Sequence, residues 1–143
     1  MRRLLAPLAA VLGVLAALSG GADSRPALVT FDARALAAEI VREDDHVTAI
    51  ELAQWIKNRK AGLRVFDLRT EAEFDEYHVP SAERVSLQAL VAMRFNPSET
   101  IVLVSEGGAH AAQAWVLLRS TGAAHVYFLR GGLGEWIGEV MNP

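Results

Sequence analysis

The chain has 143 residues, 52% hydrophobic and 22% charged, with a formal net charge of −3; that is one globular domain plus additional segments, and not a nucleic-acid binder. Cysteine is absent, which excludes disulfides, thiolate metal sites and any thiol nucleophile. The four histidines, His46, His78, His110 and His125, have no metal-ligand spacing, so neither a metal nor a cofactor is expected.

The chain opens Met1-Arg2-Arg3, then an apolar run from Leu4 to Leu18, then Ser19-Gly20-Gly21-Ala22. A basic start, about 15 apolar residues and small residues at a cut are the parts of an export signal. Residues 1–22 are therefore expected to direct the protein to the periplasm or the exterior. If uncleaved, residues 4–18 would attach it to the membrane, although a span needs roughly 20 apolar residues. Residues 23–45 are expected to form a linker and a short helical arm. Asp32 would cap a helix from Ala33 to Arg42, with Leu36, Ile40 and Val41 sharing one face.

Residues 46–143 are expected to form the main domain. Ile50 to Arg59 reads as an amphipathic helix burying Ile50, Ala53 and Ile56, and Gly62 ends it. Arg64 to Leu68 reads as a buried strand, Glu71 to Tyr77 as a short helix, and His78 to Ala82 as a loop around Pro80. Arg84 to Ser86 makes a minimal strand and Leu87 to Met93 a short helix. Ile101 to Val104 is a β-branched, apolar strand; Ser105-Glu106-Gly107-Gly108-Ala109-His110 is a glycine-bearing loop; Ala111 to Ser120 is a helix with Gly122 just beyond it. His125 to Leu129 forms another strand, and Arg130-Gly131-Gly132-Leu133 turns into a last helix carrying Trp136 and Ile137. Strands alternating with helices predict an α/β fold with a parallel sheet, its functional edge at the strand carboxyl ends.

Strand, glycine loop and helix together direct backbone N–H groups at one point, a concavity suited to an anion. Ser105 leaves the strand at its centre, where a nucleophile would sit. His110 as base and Glu106 as orienting acid complete the parts of a serine hydrolase or transferase, provided imidazole and hydroxyl come within hydrogen-bond reach. The alternative is that Ser105 only caps the loop. Gly107, Gly108, Ala109 and Ala111 supply the N–H groups for a small anion, whereas the carboxylate of Glu106 opposes one. Asp67 and Arg69 either pair to fix the loop after their strand or turn Arg69 toward a pocket. His78 is expected to hydrogen-bond within its loop, and Trp55, Trp115 and Trp136 to serve the core.

Four stretches in order carry a resemblance. Phe66-Asp67-Leu68-Arg69 with Glu73-Phe74, His78-Val79-Pro80-Ser81-Ala82, Val104 to Ala111, and Leu129-Arg130-Gly131-Gly132-Leu133 with Trp136 resemble the signatures of a rhodanese-like domain across about residues 47–142. The resemblance implies a rhodanese-like, five-stranded parallel sheet with helices on both faces. It also implies a persulfide-bearing cysteine where Ser105 stands, an arginine where His110 stands, and a glycine where Ser81 stands. Oxygen cannot hold a sulfane sulfur as a thiolate does, so thiosulfate sulfurtransferase activity is expected to be absent. What remains is a non-catalytic module for a protein partner or a small anion, or the serine-dependent enzyme.

Overall fold

The computed structural model describes residues 32–142. The expected export signal and most of the linker lie outside the described residues.

The strands are β1 (His46–Val47), β2 (Leu63–Asp67), β3 (Ala82–Arg84), β4 (Thr100–Val104) and β5 (Val126–Leu129). They form one parallel sheet in the order β1-β5-β4-β2-β3. The helices are α1 (Ala33–Val41), α2 (Ala49–Lys57), α3 (Glu71–Glu76), α4 (Leu87–Ala92), α5 (Ala109–Ser120) and α6 (Gly132–Trp136), the last continuing into a π-helical turn at Ile137–Met141.

The apolar run of β4 explains its central place. Successive side chains point to opposite faces, so Ile101 and Leu103 enter one core layer and Val102 and Val104 the other. The first layer is closed by Leu36 of α1, Leu90 of α4 and Ala111, Ala114, Trp115 and Leu118 of α5. The second is closed by Ala49 and Leu52 of α2 with Leu133 and Trp136 of α6. Full burial of each valine, leucine or isoleucine in these layers stabilises the fold by roughly 1.5–3 kcal/mol. Trp115 and Trp136 are core residues as expected, whereas Trp55 is half-buried, edge-on to Tyr127 and beneath Lys60.

Two expected helix faces are corrected. In α1 only Leu36 is buried; Ile40 and Val41 are 47% and 83% exposed. Val41 lies about 140° around the helix from Leu36, and the ion pair of Glu39 with Arg119 anchors the arm on its other side. In α2 the buried residues are Ala49 and Leu52, while Ile50 is 45% exposed. Ala53 and Ile56 are half-buried against the core as expected, but Ile50 stands about 160° around the helix from the buried Leu52; Thr48 and Glu51 form a reciprocal capping box that begins α2 at Ala49.

β1 has two residues, too few to show a period, and residue patterns alone did not predict it; Phe128 and Arg130 donate to the carbonyls of Asp45 and Val47 and fix it. β3 ends at Arg84 rather than running to Ser86, because Ser86 caps α4 through the Ala89 N–H. α5 begins two residues earlier than expected, after Gly108 in the left-handed region.

Ser81 occupies the left-handed region at φ 68°, is exposed, and follows Pro80. A β-carbon is disfavoured there by about 1 kcal/mol. Ser81→Gly is therefore expected to raise the thermal midpoint by a few degrees, checked by calorimetry; an unchanged or lower midpoint would contradict the strain.

Candidate functional site

The carboxyl ends of β2, β4 and β5 meet at one corner, and three chain turns build it. The first follows β2. Asp67 is fully buried at the strand end, and the Arg69 side chain, 5% exposed, folds back onto it. Arg69 Nε donates to Asp67 Oδ1 at 3.0 Å, and Nη2 donates to Asp67 Oδ2 and to the Tyr77 carbonyl, each at 2.7 Å. The backbone N–H of Arg69 also donates to Asp67 Oδ1 at 3.0 Å. These bonds, above all the side-chain bond to Asp67, hold the guanidinium above its ordinary range. Both sequence alternatives hold together: Arg69 pairs with Asp67, and it also lines a cleft.

The second turn is the glycine loop after β4. Ser105 is 3% exposed, and its Oγ accepts the Ala111 N–H at 3.2 Å. His110 is exposed, and among the described residues no hydrogen bond joins it to Ser105. The serine acts as an internal cap on α5, whose N-cap residue, Gly108, has no side chain to do so. Glu106 points the other way. Its side chain is 69% exposed, and Arg69 Nη1 donates to its Oε2 at 3.5 Å.

The third turn follows β5 and clasps the second. The N–H groups of Leu133 and Gly134 donate to the carbonyls of Ser105 at 2.9 Å and Glu106 at 3.2 Å. Gly132, at φ 61°, lets the two backbones touch: a β-carbon there would stand within 2.6 Å of both carbonyl oxygens and of the Gly108 nitrogen.

Between these turns opens a cleft of about 300 Å³, lined by Arg69, Glu73, Glu76, Tyr77, Glu106, Leu133 and Ile137. Of the loop residues singled out in the sequence, only Glu106 reaches it; Ser105, Gly107, Gly108, Ala109, His110 and Ala111 do not line it. His78 is held by its Nδ1 contact with the Phe74 carbonyl at 2.9 Å and stacks on the Phe74 ring at 3.9 Å, away from the cleft wall.

Glu73, Glu76, Tyr77, Leu133 and Ile137 are the lining residues that sequence reasoning missed. The signal was the acidic composition of Glu71 to Glu76 directly after a strand's carboxyl end. The Glu73 carboxyl is held below its ordinary range by hydrogen bonds from the Thr70 hydroxyl and backbone N–H, so it is charged at neutral pH. Tyr77 is fixed as the Trp136 indole N–H donates to its hydroxyl at 3.0 Å. No group of three or more His, Asp or Glu side chains is placed to hold a metal among the described residues.

Comparison with known proteins agrees with this architecture. Among curated proteins, none matches the sequence significantly. The rhodanese-like domain of the Alr3790 protein from Anabaena superposes with a TM-score of 0.58 at 26% identity, covering 65% of this chain and 73% of that one. The human single-domain sulfurtransferase TSTD1 gives 0.57 at 23% identity, over 66% and 96%. The BH2092 protein of Bacillus halodurans gives 0.60 at 21% identity, over 74% and 80%. The sequence profile of the rhodanese-like domain matches residues 48–139. With that match over most of its length and the same parallel sheet, the chain belongs to the rhodanese-like domain family, as a member without cysteine.

Proposed function

We propose that the protein is an exported, non-catalytic rhodanese-like module that binds a partner protein. One observation carries the reading: the nucleophile position holds a buried serine whose hydroxyl is committed to the Ala111 N–H. A persulfide requires a thiolate, and a serine nucleophile requires a base within hydrogen-bond reach; the exposed His110 does not supply one. The small-anion alternative is opposed by charge. Glu73, Glu76 and Glu106 line the cleft, and the one cation, Arg69, is already neutralised by Asp67. Export is supported by the basic start and apolar run of residues 1–22.

The test is a thiosulfate–cyanide assay of the native chain. No thiocyanate above the enzyme-free blank is expected, and steady turnover would overturn the reading. Ser105→Cys with His110→Arg is expected to gain turnover on the retained scaffold, and Glu106→Gln added to that pair to raise it by removing a carboxylate that repels thiosulfate. A fluorophosphonate probe is expected to leave Ser105 unlabelled; labelling that His110→Ala abolishes would favour the serine enzyme.

A further inference from the structure

The cleft joins three features not required by the reading above. One wall is apolar: Leu133 and the Tyr77 ring, continued by Ile137, which is 38% exposed although it adjoins the buried Trp136. The lining is also acidic, with Glu73, Glu76 and Glu106. It includes a buried donor as well. Of the guanidinium nitrogens of Arg69, Nε and Nη2 are engaged by Asp67 and the Tyr77 carbonyl, and Nη1 has only the 3.5 Å contact with Glu106. A guanidinium with a 5% exposed side chain thus presents an under-used N–H to the cleft.

We infer that the cleft is the docking site for an extended peptide segment of the partner that inserts a lysine side chain. This rests on the reading of the protein as a partner-binding module and names the chemistry of that partner. The Arg69 Nη1–H donates to a carbonyl oxygen of the peptide. The lysine's methylene stem lies along Leu133, Ile137 and Tyr77, and its ammonium reaches the carboxylates of Glu106 and Glu76. Each element of the site has one complementary element in such a segment. An anionic side chain would meet three carboxylates; an uncharged one would bring them no counter-charge. The volume, about 300 Å³, is at the lower end for ligand pockets and suits one side chain with its flanking backbone.

The experiment uses the full chain, labelled with nitrogen-15, and three acetylated and amidated heptapeptides that differ only at the central residue: lysine, norleucine or glutamate. The lysine peptide is expected to shift the backbone amide signals of Tyr77, Glu106, Leu133 and Gly134. The norleucine peptide is expected to bind about fivefold more weakly, as is the lysine peptide to Glu106→Gln. Raising the salt from 50 mM to 500 mM is expected to weaken the lysine peptide alone. Glu106 is mostly solvent-exposed, so its substitution leaves the fold intact. Equal or tighter binding of the glutamate peptide, shifts confined to surfaces outside the cleft, or unmoved cleft signals with the lysine peptide would each overturn the inference. None of these outcomes bears on the absence of catalysis, which the thiocyanate assay of the native chain decides separately.

Discussion

Gly132→Ala is expected to destabilise this protein strongly, because the added methyl group meets backbone on three sides. Three backbone atoms, the carbonyl oxygens of Ser105 and Glu106 and the nitrogen of Gly108, stand within 2.6 Å of where the new carbon would lie. None is the end of a flexible side chain, so relief requires one loop to move off the other. That movement would stretch the bonds from Leu133 and Gly134 that hold the clasp together. Overpacking of this kind costs about 1–3 kcal/mol, and the left-handed backbone at φ 61° adds roughly 1–2 kcal/mol. The sum is a large share of the about 5–15 kcal/mol that stabilises a domain of this size. Urea unfolding should show a lower midpoint, and an unfolding free energy reduced by that amount. Gly134→Ala is the control: its nearest neighbour is 4.0 Å away, and it is expected to be close to neutral or slightly stabilising.

Arg69→Met is expected to cost about 3–5 kcal/mol, because it strands a carboxylate in the core. Asp67 is fully buried, and after the substitution only the backbone N–H of residue 69 still donates to it. The Tyr77 carbonyl loses its guanidinium donor at the same time. The penalty belongs to the unpaired charge and not to the loss of an attractive pair. Asp67→Leu combined with Arg69→Met is therefore expected to recover most of the stability. A double-mutant cycle in urea measures this; a double variant as unstable as the sum of the singles would show that the two groups act independently.

The sheet was legible because its central strand is a run of β-branched and apolar residues, and because the glycines that shape the turns are conspicuous in the chain. What escaped was set by contacts remote in sequence. β1 exists only because β5 lies beside it, and two residues carry no periodic signal of their own. On α2, Ala53 and Ile56 pack against the core as their spacing suggests, whereas Ile50 turns outward and Ala49, the first residue after the Thr48–Glu51 capping box, is buried in its place. At the site, the sequence placed Ser105 and His110 five positions apart across one loop and suggested a shared pocket. In the fold the serine hydroxyl turns inward to a helix N–H, while the histidine is exposed on the helix it opens. The cleft is lined instead from α3 and α6, and only tertiary structure brings those short helices to Glu106.

The two strands at the margins of the sheet are very short, β1 with two residues and β3 with three. An open margin of that length offers too few unpaired main-chain donors and acceptors to recruit a further strand, the commonest route by which sheet proteins capture extended ligands or aggregate. Exposed β3 residues reinforce the barrier: Glu83 is held by Arg64 in a two-pronged pair, and Arg84 lies beside it. Among the described strands, neither margin is long enough to favour strand addition or edge-to-edge self-association.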